Sequence, residues 1–225
     1  MLTACGLLAV GMAALSPPPL PVRVSATGGS GNAIGYSRHG AGYRMSDRLL
    51  FKWDLDQSCI GAVKFETKGI NEWTEFVSCG GRYTEYSSAT ETCWSRDVPL
   101  SQRSQPLDRL EGAYAGFTRH ISDRLRDPIW SQSFMRVFKN EQLNAYIYVS
   151  LSDNVVRFVQ LQDYFPGGED YIIHFPNGLV EQTSSVNFTF EKAPCNHSTS
   201  DAPSTPFSLH KQTQPSNEQA QQLFE

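Results

Sequence analysis

Cysteines and glycosylation sequons are the residues of this chain whose types and spacing point most clearly to a chemistry. Four cysteines follow an apolar N-terminal stretch: Cys59, Cys79, Cys93 and Cys195. An even set of cysteines behind a secretory segment predicts a disulfide framework, because disulfides persist in oxidising compartments. Asn187 and Asn196 begin Asn-X-Ser/Thr sequons, the acceptor pattern for N-linked glycan. Together these features predict a secreted, glycosylated protein.

The pairing of the cysteines stays open at this point, since four cysteines allow three pairings. We expect Cys79 to pair with Cys93, because the two can face each other across a hairpin, and Cys59 to pair with Cys195. A fifth cysteine, Cys5, lies in the apolar start of the chain and would be removed with a signal peptide.

The N-terminal apolar run, residues 2–15, has signal-peptide length and is too short to cross a bilayer as a helix. Small residues at Val24-Ser25-Ala26 predict cleavage there, so residues 1–26 are the predicted signal peptide. No basic residue precedes the run, and Leu2-Thr3-Ala4-Cys5 also matches a bacterial lipobox, although a lipobox follows an apolar stretch and this one begins it. The sequence predicts no integral membrane span.

Catalytic chemistry finds little support in the residue pattern. The histidines are scattered, with no pair at i, i+4 spacing, so we expect neither a metal site nor a cofactor. Two carboxylate pairs, Asp54 with Asp56 and Glu169 with Asp170, would suit glycoside hydrolysis only if they met across a cleft. Both pairs lie at the ends of predicted strands, where solvated carboxylates of turns are usual. We therefore expect no catalytic residue, and a secreted hydrolase is the least favoured alternative.

Composition sets further limits on partners and domains. With 19 Lys+Arg against 23 Asp+Glu, the 225-residue chain carries a formal charge of -4, which excludes the basic footprint of a nucleic-acid-binding protein. Residues 27–42 and 196–225 lack apolar periodicity and are rich in small and polar residues, which predicts a disordered linker and a disordered tail. Residues 43–195 are then a single disulfide-braced domain.

Alternating apolar residues and β-branched residues predict strands over much of this domain. The predicted strands are 49–54, 62–67, 73–78, 81–86, 144–151, 155–161, 170–175 and 185–190. Asn177-Gly178 predicts a hairpin turn before the last strand. Apolar residues at helical spacing predict one helix from Leu107 to Leu125, which Asp127-Pro128 ends. Many short strands with one helical insertion predict a mainly β fold built on a meandering antiparallel sheet.

A sheet of this length must close or curl, and a curled sheet encloses a cavity on its concave face. The helix 107–125 would cover the open side. Candidate wall residues of this pocket are Tyr146, Tyr148, Val156, Phe158, Ile172 and Phe188, and the pattern does not decide which alternate set faces inward. The predicted function is binding of an apolar, lipid-like small molecule. The alternative is an extracellular protein-interaction module in which the same residues fill the core.

Two segments carry a resemblance to a known family. Residues 76–93, in which an aromatic strand and a short tether lead to a cysteine, resemble a hairpin of ependymin-related proteins and LolA-like secreted domains. Residues 185–195, which end in Pro-Cys, resemble their closing segment. The resemblance covers residues 45–195 in outline and touches Cys79, Cys93, Cys195 and Asn187 directly. It implies secretion, a half-barrel sheet and a deep hydrophobic pocket for lipid-like ligands.

The chain departs from this family pattern in two respects. The spacing from Cys79 to Cys93 is shorter than in an ependymin. Some ependymins bind calcium, but no acidic cluster of this chain resembles a calcium loop.

Overall fold

A single antiparallel sheet dominates the molecule. The computed structural model describes residues 16–25, 30–39, 42–66, 72–120, 135–165 and 167–189, and these form a 12-stranded sheet and one α-helix. The strands are β1 Arg23–Val24, β2 Asn32–His39, β3 Gly42–Asp54, β4 Cys59–Glu66, β5 Trp73–Cys79, β6 Arg82–Ser87, β7 Thr92–Asp97, β8 Thr118–Arg119, β9 Met135–Asn140, β10 Ala145–Ser150, β11 Val156–Phe165 and β12 Glu169–Leu179. Helix α1 spans Gln105–Ala115 and follows a 3₁₀ turn at Leu100–Gln102.

The sheet consists of two meanders that share one seam. Strands β2 to β7 pair in chain order, strands β8 to β12 do the same, and β12 pairs with β2, with Ile173 opposite Gly35. The edge strands β7 and β8 do not pair, so the described sheet is open, and α1 lies in the connection between them. The prediction of a mainly β, curled antiparallel sheet with a helical insertion is confirmed.

Local backbone features explain how the meander turns and bends. The turn between β5 and β6 is Gly80-Gly81, whose φ angles of 62° and 82° lie in the left-handed region that glycine enters without steric penalty. Register shifts interrupt β2, β10 and β11. Because a bulge bends its strand and increases the local twist, these shifts favour curling over a flat sheet.

Helix α1 is shorter than predicted. It ends at Ala115, and Gly116 follows as the C-cap. The side-chain amide of Asn140 donates to the Ala113 carbonyl at 2.8 Å, and a Cβ at position 116 would lie 2.6 Å from that amide nitrogen. The glycine therefore lets β9 close over the helix end, and the chain turns into β8. Phe117, which we had placed on the helix, is buried in the core after it. Residues 121–125 of the predicted helix lie outside the described residues.

The linker predicted to be disordered contains a strand, so that part of the prediction is wrong. The predicted linker 27–42 contains β2, which pairs with both β3 and β12. The predicted signal peptide 1–26 contains β1, in which Val24 is fully buried and pairs with Trp53. The buried residues of β2 are Ala33, Gly35 and Ser37, and such small residues resemble those of a linker in composition. The folded domain therefore begins before residue 43, and the described segment 16–25 belongs to it.

Residues 180–189, which include most of the strand predicted at 185–190, form no strand. Asn187 accepts hydrogen bonds at 2.9 Å from both the backbone N–H and the hydroxyl of Thr189. Such local side-chain bonds compete with a sheet ladder. The segment instead crosses the outer face of the sheet, where the Thr189 carbonyl accepts from the Lys52 ammonium at 3.4 Å.

The hairpin turn predicted at Asn177-Gly178 is also wrong, since both residues lie inside β12. Gly178 has φ 74°, and the register between β11 and β12 shifts from Phe158 opposite His174 to Val156 opposite Leu179. The pair therefore forms a bulge, which uses the same positive φ as a turn.

Candidate functional site: an apolar cavity under helix α1

A cavity of about 360 Å³ lies between the concave face of the sheet and α1. Its walls come from both meanders and from the helix, so strands that are distant in the sheet order meet around it. The apolar wall residues are Leu20, Phe51, Trp53, Ile60, Ala62, Phe76, Tyr83, Val98, Leu110, Tyr114, Phe117, Ile147, Val156, Val159, Ile173, Phe175 and Leu179. Its size falls in the range of small-molecule pockets, about 300–1,000 Å³.

Aromatic rings make up much of the wall. The rings of Phe51 and Phe175, from β3 and β12, have centroids 5.9 Å apart, and Phe76 stacks on Tyr83 at 6.1 Å. These rings are held by neighbours from several strands rather than by one another alone. A ligand would therefore meet a preformed apolar surface.

Three aromatic wall residues have polar tips, and each tip is hydrogen-bonded within the fold. The Tyr83 hydroxyl donates to Glu85 at 2.8 Å. The Trp53 indole N–H donates to the Pro21 carbonyl at 2.8 Å, and the Tyr114 hydroxyl donates to the Pro18 carbonyl at 2.7 Å. Burial raises the pKa of Tyr114 well above its usual value, so this phenol stays neutral. The N-terminal segment thus closes part of the cavity and leaves the rings to present carbon.

The cavity is partly open to solvent, and its exposed lining residues mark the opening. These are Arg96 on β7, Gln102 of the 3₁₀ turn, and Gln105 and Arg109 on the first half of α1. The interior is apolar, whereas the mouth carries amides and guanidinium groups. No carboxylate is among the described lining residues.

A cluster of three polar side chains lies on the concave face outside the cavity lining. The Tyr171 hydroxyl donates to Asp47 at 2.8 Å, and the Lys64 ammonium lies 3.6 Å from the other oxygen of that carboxylate. Burial, followed by the nearby Asp47, raises the pKa of Tyr171. Gly35 makes room for the Tyr171 ring, since a Cβ at that position would overlap the hydroxyl. The charges of Asp47 and Lys64 therefore contact each other within the fold, and none of these residues lines the cavity.

Of the six predicted wall residues, only Val156 lines the cavity. Ile147, Val159 and Ile173 line it, and side chains alternate between the two faces of a strand, so Tyr146, Tyr148, Phe158 and Ile172 lie on the convex face. Phe188 lies in the segment that crosses this outer face, with its ring centroid 6.0 Å from the Lys52 ammonium. The prediction of these five as wall residues is wrong.

The side chains on the convex face pack against one another. The rings of Phe158 and His174 stack at 4.4 Å, and Tyr148 contacts Phe158 edge-on at 6.2 Å. The Tyr148 hydroxyl donates to Gln160, whose amide donates to Asp170 at 2.7 Å. Gln160, Asp170 and His174 are the polar members of the outward alternate set. On β11 and β12 these polar residues are a sequence signal for the outward set, whereas Tyr146 and Ile147 on β10 give no such signal.

The disulfide pairs that we expected are wrong. Cys59 bonds to Cys79, with Cα atoms 4.4 Å apart. Ile60 on β4 lies opposite Ser78 on β5, so the two cysteines flank this pair on adjacent strands. Cys93 is disulfide-bonded as well, and Cys195 lies outside the described residues. The Cys59–Cys79 bond fastens two strands whose opposite faces carry Ile60 and Ser78 of the cavity wall.

Cys79 and Cys93 do not face each other, for a reason of register. Cys79 pairs with Arg82 at one end of β6, whereas Cys93 pairs with Tyr86 near the other end. The two cysteines are thus two strands apart and displaced along the strands. A disulfide needs Cα atoms within about 7 Å, which this arrangement excludes.

The carboxylate pairs serve structural contacts. Asp54 is fully buried, and both Asp54 and Asp56 bind the guanidinium of Arg23, which ties β1 to the end of β3. Asp170 is buried against Gln160, whereas its neighbour Glu169 lies at the start of β12. Neither pair lines the cavity. In the described ranges, no three His, Cys, Asp or Glu side chains are grouped to hold a metal ion.

Asn187 is exposed, whereas Asn196 lies outside the described residues. Throughout the part of the chain that the structure describes, helices long and apolar enough to cross a membrane are absent. Neither a protein-family model nor a curated protein sequence matches the chain.

Proposed function

We propose that this protein binds an apolar, lipid-like ligand in the cavity under α1. The observation that carries the proposal is the cavity itself, which has an apolar wall, a polar mouth and a helix over its open side. An interaction module with a filled core would place side chains in this space. The half-barrel arrangement also supports the resemblance to ependymin-related and LolA-like domains, which remains part of the proposal.

Apolar burial would supply most of the binding free energy. Each Å² of apolar surface that leaves water contributes about 25 cal/mol, before the losses of freedom on association. A chain-like ligand that fills the cavity should bind with low-micromolar affinity, or roughly −8 kcal/mol.

Filling the cavity from its wall tests the proposal. Ala62 is buried, faces the cavity and lies opposite Phe51 and Phe76 in the sheet. Ala62→Phe should reduce affinity for an apolar fluorescent probe at least about tenfold, because the new ring occupies the ligand space. Ala115→Phe adds the same ring at an exposed position of α1 and should leave affinity unchanged. Probe titration with both variants, each checked by thermal unfolding, decides the matter. Equal affinity in folded Ala62→Phe and wild-type protein would contradict the proposal.

We also propose that the protein is secreted and glycosylated. The Cys59–Cys79 disulfide and the exposed sequon at Asn187 support this. Expression in a glycosylating host should give a glycosidase-sensitive shift that Asn187→Gln reduces. A secreted product without glycan on either Asn187 or Asn196 would contradict the glycosylation proposal.

We expect signal cleavage to occur before Pro18, because later cleavage would remove part of the fold. Cleavage after Ala26 would remove Val24 from the core, together with the carbonyls of Pro18 and Pro21 that bind Tyr114 and Trp53. N-terminal sequencing of the secreted protein should therefore find a start before Pro18. A mature chain that begins at Thr27 would contradict this.

A further inference from the structure

We propose that the ligand is a single-chain amphiphile whose ionised carboxylate is held at the mouth by Arg96 and Arg109. This inference rests on the proposed function and names the ligand class that the same cavity selects. Both arginines belong to the lining, both are exposed, and they come from different elements, Arg96 from β7 and Arg109 from α1.

The two arginines carry charge that the fold leaves uncompensated. Arg96 lies over the Tyr83 ring at 5.5 Å, and neither Arg96 nor Arg109 forms an ion pair within the described residues. The acidic residues beside them in sequence, Asp97 and Asp108, are exposed and do not line the cavity. Other charged residues near the sheet behave differently, since Asp47 pairs with Lys64 and Asp54 pairs with Arg23.

The arrangement of polarity within the cavity fits an amphiphile. The buried lining residues are apolar except for Ser78, whereas the exposed lining residues are Arg96, Arg109, Gln102 and Gln105. A guanidinium presents paired N–H donors that match a carboxylate, and such charge-assisted bonds are stronger than neutral ones. A ligand with its chain inside and its head at the mouth satisfies both regions.

The cavity volume favours one acyl chain. At about 360 Å³, the cavity lies near the lower end of the range of small-molecule pockets, about 300–1,000 Å³. A ligand with two long chains would need the larger part of that range. The inferred class is therefore a free fatty carboxylate or a similar single-chain acid.

Three ligands with the same chain test the head group: dodecanoate, dodecanol and dodecylammonium. Calorimetric titration of the full chain at neutral pH and low salt should rank them in that order. Dodecanoate should bind at least about tenfold more tightly than dodecanol, which is the scale of a hydrogen-bonded charge pair. Raising the ionic strength should narrow the difference, because the mouth is exposed and salt screens it.

Two variants that each remove one positive charge test whether Arg96 and Arg109 cause the preference for dodecanoate. Arg96→Gln and Arg109→Gln should each weaken dodecanoate binding several-fold more than dodecanol binding, and the double variant should lose the preference. Arg44→Gln is the matched control, because Arg44 is exposed on β3 and does not line the cavity. It removes the same charge and should not alter the ranking.

The outcomes separate this inference from the function on which it rests. If none of the three ligands binds, the proposed function fails. If dodecanol and dodecanoate bind equally, or if the double variant keeps the preference, the carboxylate assignment is wrong while apolar binding stands.

Discussion

The two faces of the sheet are built from similar residues but differ in what they enclose. The concave face presents Ile147, Val159 and Ile173 to a cavity, whereas the convex face packs Phe158 and His174 ring on ring. On the concave face, charged side chains lie at the cavity mouth and in the Tyr171–Asp47–Lys64 cluster outside the lining. On the convex face, polar side chains form a series of hydrogen bonds, from Tyr148 to Gln160 and from Gln160 to Asp170.

This contrast shows that apolar composition does not by itself create a binding site. Curvature spreads the side chains of the convex face and brings those of the concave face towards one another, with α1 placed across the opening. A space of about 360 Å³ remains between the helix and the sheet. The comparison predicts that equal truncations on the two faces have unequal consequences.

The largest expected loss of folding stability comes from a truncation on the convex face. Phe158 is 4 % exposed, so Phe158→Ala should lower the free energy of unfolding by about 3–5 kcal/mol, as in other tightly packed cores. Phe51→Ala, which enlarges an existing cavity, should cost less than about 3 kcal/mol because that ring already lacks neighbours on one side. Chemical denaturation measures both values.

Ligand affinity should follow the opposite order. Folded Phe51→Ala protein should bind an apolar probe with an affinity that differs from that of wild type. The affinity of Phe158→Ala protein should equal that of wild type. Larger destabilisation from Phe51→Ala, or lost binding in folded Phe158→Ala, would reverse the roles assigned to the two faces.

The next largest effect concerns the disulfide that fastens β4 to β5. The sequence separation of Cys59 and Cys79 is 20 residues. Replacing both by serine should lower the unfolding free energy by about 3 kcal/mol, mainly because the unfolded chain gains freedom. Urea denaturation of the variant and the parent measures the difference, and an unchanged midpoint would show that the strands hold their register without the bond.

Peptide mapping without reduction should complete the disulfide framework. We expect Cys93 to be joined to Cys195, the remaining member of the predicted set. A peptide that joins Cys93 to Cys5 would overturn this and would also mean that the N-terminal segment is retained.

The smallest expected effect is the pH dependence from His174. Burial lowers the pKa of His174, and the neighbouring Arg157 lowers it further. The folded state therefore prefers the neutral imidazole, and its stability should be constant above the unfolded pKa of about 6.5. Stability should fall as the pH drops from there through the folded-state pKa, because the unfolded chain binds the proton first. His174→Gln should flatten this part of the profile, and an identical slope in both proteins would assign it to other groups.

The sequence predicted the strands of the sheet well where apolar alternation ran without interruption. It missed β2 because Ala33 and Gly35 lack the usual strand character. Gly35 is small for a packing reason, since Tyr171 lies over it. That contact joins residues far apart in the chain, and no local pattern contains it.

The inward set of side chains was harder to predict, because both faces are apolar. In β10, Tyr146 and Tyr148 alternate with Ile147 and Val149, so periodicity alone assigns neither pair to the cavity. The disulfides failed for a related reason. The cysteine pairing depends on which strands are adjacent and in which register. Sequence spacing suggested a hairpin that brings Cys79 to Cys93, whereas the bond joins Cys59 on β4 to Cys79 on β5.

Photo-crosslinking tests the central claim, that the concave face holds the ligand, most directly. A dodecanoate analogue with a diazirine near its chain end would be irradiated with the protein, and the labelled peptides would be mapped. The concave-face proposal predicts labels on wall residues such as Phe51, Ile60 and Phe175, with competition by unlabelled dodecanoate. Competed labels confined to convex-face residues such as Tyr146 and Phe158 would contradict it.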